Sequence, residues 1–253
     1  MMTNYLLKLP AMILFLFLAP ASTQAQEQPF QMRLNVTLDI DGSQAAAFDK
    51  SWRVIADRAM KDSFPFYTVV SESGNRRLIL FIIKSYADLA TIAEHIDKYR
   101  NSDDADLRAA VTKLQQISGS YNSYVSRIAG ELTYSPPESY RSGFVRYSHY
   151  TMESENKAAV KKLVMDYRDR MEQAGVSSAL HARWLSVGSE GTVLELLKAA
   201  NSAEEMRDFD EEIAVKIDAR HSAEFESQLQ RLTTSVSHRY WKPRADLSIS
   251  INR

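Results

Sequence analysis

The 253-residue sequence has no cysteine. No disulfide can staple the chain, and no thiolate is present to act as a nucleophile or metal ligand. Glycine is scarce, at 8 residues, and none of it forms a glycine-rich phosphate loop or a nucleophile elbow. Neither sign of charge dominates: 31 lysines and arginines face 32 aspartates and glutamates. Nucleic acid and anionic membrane surfaces both demand a basic stripe, so neither is expected as a partner. The five histidines show neither the i, i+4 spacing of a helical metal site nor the HxH spacing of a strand site, and no metal is expected.

Long apolar runs are also missing, except at the start. "MMTNYLLKLPAMILFLFLAPASTQAQ" carries one early cation, Lys8, then an apolar segment from Leu9 to Ala19, then small and polar residues. Pro10 and Pro20 bracket a segment too short for a hydrocarbon layer that needs about 20 residues. The pattern is that of a signal peptide over residues 1–25, cleaved near Ala25 to start the mature chain at Gln26. With no cysteine after it, lipid attachment is excluded. The sequence therefore predicts an exported protein, periplasmic or secreted, with no membrane span after signal removal.

The rest of the chain alternates between two periods. "MRLNVTLDI" (Met32–Ile40) places Leu34, Val36, Leu38 and Ile40 on one face, the period-two signature of a half-buried strand. Phe48, Trp52, Ile55 and Ala59 then recur at helical spacing over about 44–61, with Ser43 as the expected cap and Trp52 as expected core. "FPFYTVV" and "RRLILFIIK" read as a hairpin turned at Gly74-Asn75. Two helices follow, over about 86–98 and 104–122, and then a strand near 130–134. "SPPESYRSG" reads as a linker, because Pro136-Pro137 cannot continue regular structure.

After the linker the same succession restarts. The pattern predicts a strand over about 144–152, a helix over 155–173 ending at Gly175, and strands in "SALHARWLSV" and "TVLELLKA". Helices from Ser202 and over about 220–236 follow, and "ADLSIS" closes as the last strand. Gly74 and Lys84 correspond to Gly188 and Lys198 at one constant spacing, and "LQQISGS" and "GELTY" match "LQRLTTS" and "ADLSI" one residue further on. Four matches in order predict an internal repeat. The domains are a first unit over 26–135, a linker over 136–143 and a second unit over 144–253.

Each half reads β-α-β-β-α(α)-β, a split βαβ unit with an antiparallel sheet covered by helices on one face. Two such units can bury each other's open faces by packing sheet to sheet. The layout resembles the ferredoxin-like, dimeric α/β-barrel superfamily, the fold of antibiotic-biosynthesis-monooxygenase-like proteins. The resemblance rests on element order and on the repeated lysine-to-helix segment. It implies an α+β fold of two tandem ferredoxin-like units with a pocket behind the sheet, and leaves a homodimer among the arrangements open to the chain. The superfamily includes small monooxygenases, isomerases and haem-handling proteins, so the resemblance implies no single reaction.

The candidate ligand-binding residues lie on the predicted strands. His149 shares a face with Tyr147, and His181 shares one with Arg183, while Tyr67 is the counterpart of His181 in the first unit. If both histidines face inward, they join Tyr147 in a pocket of mixed polarity; a shift of one residue in register reverses every side chain. A histidine there has three chemistries open to it: coordinating a haem iron, accepting a proton or hydrogen-bonding a ligand. No cofactor is required by any motif, and haem is the one alternative. His95, His221 and the acidic pairs, including Asp210-Glu211-Glu212, read as solvated helix surface, and His238 reads as a brace near the sheet end. The sequence thus predicts an exported protein that binds a small apolar or aromatic molecule or serves as an envelope interaction module. The alternative is a cofactor-independent monooxygenase- or isomerase-like enzyme, or a haem-binding protein.

Overall fold

The computed structural model describes residues 32–136, 143–189 and 191–249. The expected signal peptide, and residues 137–142 of the expected linker, lie outside the described residues. The element order is β1 (Met32–Ile40), α1 (Ala45–Lys61), β2 (Thr68–Ser73), β3 (Arg76–Ile83), α2 (Asp88–Arg100), α3 (Ala105–Ile117) and β4 (Ser118–Ile128). The same succession then recurs as β5 (Phe144–Met152), α4 (Lys157–Gln173), β6 (His181–Val187), β7 (Thr192–Ala200), α5 (Ala203–Ile217), α6 (Ala219–Leu232) and β8 (Ser235–Pro243). This is a mixed α+β fold. Among the described residues no helix is long and apolar enough to cross a membrane.

Two compact units form, and both are discontinuous in sequence. Among the described residues, the first gathers 32–70, Asn75–Ser123 and 245–249; the second gathers Ser71–Gly74 and the described part of Tyr124–Arg244. In the first unit, β1 and β3 pair antiparallel from Met32 opposite Ile83 to Asp39 opposite Arg76. The stripe of α1 buries Phe48, Trp52 and Ala59, as its helical spacing predicts, and Ala56 takes the buried place expected of Ile55, which is half-buried. Trp52 donates its indole N–H to the Leu247 carbonyl at 2.7 Å, which gives the buried ring's polar atom a partner. The cap of this region differs from expectation. Asp41, not Ser43, supplies the side-chain acceptor, taking the Ser43 N–H at 2.9 Å.

The second unit builds an antiparallel sheet in the order β4–β6–β7–β5–β8. One face of this sheet carries Tyr150, Met152, Ala182, Leu194 and Leu196, which pack against Val160, Val164 and Met171 of α4, Ile213 of α5, and Phe225 and Leu229 of α6. Tyr167 stacks on Phe225 with centroids 4.0 Å apart. Burying each such side chain contributes about 1.5–3 kcal/mol, so this layer is the main reason the helices lie where they do. Gly175 ends α4 with a φ of 59°, the left-handed turn that its sequence position predicts.

Two strands run where a helix end was expected. Residues 118–122 belong to β4, and Ser235–Pro243 forms β8. In β4, Tyr121, Tyr124, Val125 and Ile128 recur at three and four residues, which imitates a helix. Asn122, Ser123 and Ser126 between them, and Gly119 before them, are poor helix formers, and pairing with β6 decides the outcome. β8 pairs with β5 from Val145 opposite Trp241 to Thr151 opposite Ser235. "GELTY" and "ADLSIS" hold 3₁₀ turns at Gly130–Leu132 and Ala245–Leu247, plus single bridges through Tyr134 and Ile249.

Candidate functional site

Residues directly opposite one another on adjacent strands project to the same face of a sheet. In the second unit, Arg183 lies opposite Glu195, Glu195 opposite His149, and His149 opposite Ser237. The neighbouring row runs His181, Leu197, Tyr147 and Arg239 across the same four strands. Both rows occupy the face turned away from the helices. Sequence spacing linked His149 to Tyr147 and His181 to Arg183; strand pairing brings the two pairs together. Tyr67, the fifth candidate, belongs to the first unit, is 38% exposed and is not part of these rows.

At the centre is a carboxylate removed from water. Glu195 is 0% exposed. Its Oε2 accepts the Tyr124 hydroxyl at 3.0 Å and lies 2.9 Å from His149 Nε2. Tyr124 Oη is 3.4 Å from the same imidazole nitrogen, and the two rings meet edge to face at 5.7 Å. A buried carboxylate costs several kcal/mol unless it is hydrogen-bonded and paired. With Nε2–H donating to Glu195, His149 Nδ1 keeps its lone pair and can accept a proton. The His149 side chain is 22% exposed, so this ring joins the buried acid to the accessible side. Tyr147 and Arg183 flank it, both nearly buried.

Glu195 and Tyr124 are absent from the sequence reading. Glu195 did leave a signal, as the lone acid between Leu194 and Leu196 in an apolar strand, since a charge in such a run must either find a partner or break the core. Tyr124 left none, because its strand resembles a helix end. Two surface assignments are corrected. His95 is not solvated: its ring packs edge-on against Phe64 at 5.1 Å, and its Nδ1 is buried without a hydrogen bond. Asp210 is not a free surface acid, because it binds Arg146 and Lys198. His238 does brace the sheet, with Nδ1 2.8 Å from Ser148 Oγ on the adjacent strand.

No protein-family model matches the sequence, and no curated protein matches it. Solved structures share the fold. An anthrone oxidase-like protein superposes with a TM-score of 0.57 at 9% identity, covering 89% of this chain and 95% of its own. A candidate monooxygenase from Fusobacterium nucleatum gives 0.54 at 11% identity, covering 84% of this chain and 92% of its own. Another, from Lactobacillus acidophilus, gives 0.52 at 11% identity with 87% and 96% covered. At such identities the similarity concerns architecture alone. The chain has a mixed α+β fold, and it shares that architecture with these solved structures.

Proposed function

We propose that the protein is an exported, cofactor-independent oxygenase-like enzyme that takes a proton from a small aromatic substrate. The observation that carries this reading is the fully buried Glu195 within hydrogen-bonding reach of both Tyr124 and His149. A carboxylate that orients an imidazole and stabilises its protonated form is a general-base arrangement, worth roughly 10²–10⁴-fold in rate. A substrate suited to it has an acidic benzylic C–H or a phenolic O–H. His149 Nδ1 takes the proton, and the resulting carbanion supplies its electrons to dioxygen. For a methylene substrate, loss of water then leaves a ketone, so one dioxygen yields one carbonyl oxygen and one water. The anthrone oxidase-like and monooxygenase neighbours are compatible with this chemistry, and so is a fold built as two tandem ferredoxin-like units that arose by duplication.

Haem is the alternative cofactor. His149 Nε2 is committed at 2.9 Å to Glu195 and 3.4 Å to Tyr124, so a bond to haem iron would have to come from the Nδ1 lone pair that the proposed reaction uses as its base. The two readings compete for one atom, and no step is derived through haem. The test is oxidation of a hydroxyanthrone in air, followed by quinone absorbance. Turnover that falls at least about 100-fold in His149→Ala and Glu195→Gln supports the reading. No turnover and no thermal shift with a panel of hydroxyanthrones and quinols overturns it. Export is tested separately by sequencing the N-terminus of the mature protein from an envelope fraction. Gln26 is expected there, and an intact Met1 removes the export proposal.

A further inference from the structure

The helix-covered face of the same sheet carries a second polar centre that the proposed reaction leaves unused. Tyr150 belongs to the core on that face, and alternation along β5 places Ser148 and Arg146 on the same side. On the neighbouring strand, His238 lies opposite Ser148 and Tyr240 opposite Arg146. The helix cover runs out over β8: His238 is exposed and Tyr240 is 44% exposed. Ser148 itself is only 7% exposed.

His238 Nδ1 is 2.8 Å from Ser148 Oγ. The Tyr150 ring meets the imidazole edge to face, with centroids 6.3 Å apart. A hydroxyl within hydrogen-bonding reach of a base that a third group orients is the arrangement of an activated nucleophile. With the proton on Nε2, Nδ1 accepts the Ser148 O–H. Ser148 also borders a cavity of about 30 Å³, whose walls include Arg146, Lys198, Tyr150 and Tyr167, with the exposed Glu226 beside them. A water needs about 10–15 Å³ of such space, so the cavity takes about two or three heavy atoms, the size of an acetyl group. Asp210 accepts from both cations, at 2.9 Å from Lys198 and at 2.7 and 2.9 Å from Arg146. An ammonium and a guanidinium carry more N–H donors than these bonds use. Next to Arg146, the half-buried Phe144 stacks on Tyr240 with centroids 5.4 Å apart, which offers a flat ring an aromatic shelf.

We propose that Ser148 and His238 form a second reactive centre, which cleaves esters of a short carboxylic acid with an aromatic alcohol. The Ser148 oxygen forms a bond to the acyl carbon while its proton passes to His238 Nδ1. The carbonyl π pair moves onto oxygen, in a cavity whose cationic walls favour that charge. The pair then returns, the bond to the aromatic alcohol breaks, and the leaving oxygen takes the proton from His238. Water repeats both steps on the acyl-serine and releases the acid. Ester and water give acid and alcohol, with no oxidation or reduction. This chemistry needs no dioxygen and uses the opposite face from His149, so the two centres stand or fall separately.

The test uses the intact protein and p-nitrophenyl acetate at neutral pH, following p-nitrophenolate absorbance and the acetylated serine by peptide mass spectrometry. Ser148 is expected to be acetylated at least about 100-fold faster than the exposed Ser227. The two serines are compared in the unaltered chain, where the folding of a variant plays no part. His238→Gln is expected to slow Ser148 acetylation at least about 100-fold, and Ser148→Ala to remove the matching share of p-nitrophenolate release. p-Nitrophenyl hexanoate, whose chain outgrows the cavity, is expected to react at least about 10-fold more slowly than the acetate. Acetylation of Ser148 no faster than that of Ser227 overturns the proposal, as does a Ser148 rate unchanged in His238→Gln. Equal rates for the two esters also overturn it, because the acyl group would then be reacting outside the cavity.

Discussion

Removing the Tyr124 hydroxyl tests whether Glu195 sits in a coupled network. In Tyr124→Phe the ring remains and one charge-assisted hydrogen bond, 3.0 Å in the structure, is lost. Hydrogen bonds to charged groups contribute about 1.5–3 kcal/mol, so a loss of that size is expected. The carboxylate has no exposed surface, so bulk water does not take over the lost bond. For a chain of this length each 1 kcal/mol lowers Tm by roughly 2–4 °C, giving an expected drop of about 3–12 °C. In a Glu195→Gln background the acceptor is neutral, and the same change is expected to cost only about 0.5–1.5 kcal/mol. The double-mutant cycle should therefore return a coupling of about 1–1.5 kcal/mol. Urea unfolding of the four proteins, read by tyrosine and tryptophan fluorescence, measures it. Additivity within about 0.5 kcal/mol would refute the network, and with it the idea that Tyr124 and His149 share one buried acid.

Burial raises the Asp210 carboxyl, but its bonds to Arg146 and Lys198 outweigh this and leave it below the usual aspartate value. A depressed folded value adds stability above the unfolded pKa of about 4 that is lost as pH falls through the folded one. Asp210→Asn is therefore expected to cost about 1–2 kcal/mol at neutral pH, a figure reduced for its partial exposure, and to flatten the acid limb of a Tm–pH curve below about pH 4. An unchanged acid limb refutes the assignment. Leu194→Ala, at a fully buried position in the helix-facing core, should cost about 2–5 kcal/mol in urea unfolding, and a cost below about 1 kcal/mol would contradict that packing. Gly143→Ala directs a methyl group into the Asn201 backbone. Backbone cannot yield as a side chain can, so a loss of about 1–3 kcal/mol is expected in the same assay, and a neutral result would refute the close approach.

Periodicity carries far in this chain and then stops at a definable place. The apolar spacing of α1 and the strict alternation of β1 settle those elements locally, although β1 also buries Arg33 and Asn35 on its polar side and leaves Val36 and Leu38 half-buried. β4 and β8 are different. Their serines, tyrosines and charged residues have no decisive pattern, and they become strands by completing the hydrogen bonds of β6 and β5. Such pairing is a long-range choice that no window of sequence contains.

The candidate site divides in the same way. Alternation alone put Tyr147 with His149 and His181 with Arg183, since side chains two apart on a strand share a face. Whether those two faces are one face depends on register, which is fixed only when β5, β7 and β6 pair. The same pairing drew Glu195 between Arg183 and His149, and brought Tyr124 from a strand that its own sequence conceals. On the other side of the sheet, the sequence marked Lys84 and Lys198 as equivalent, whereas the fold leaves one in water and encloses the other beside Asp210. Residue type and spacing set the elements and the faces of their side chains. Burial and partnership, which give a lysine or glutamate its chemistry, arise only where distant segments meet and exclude water.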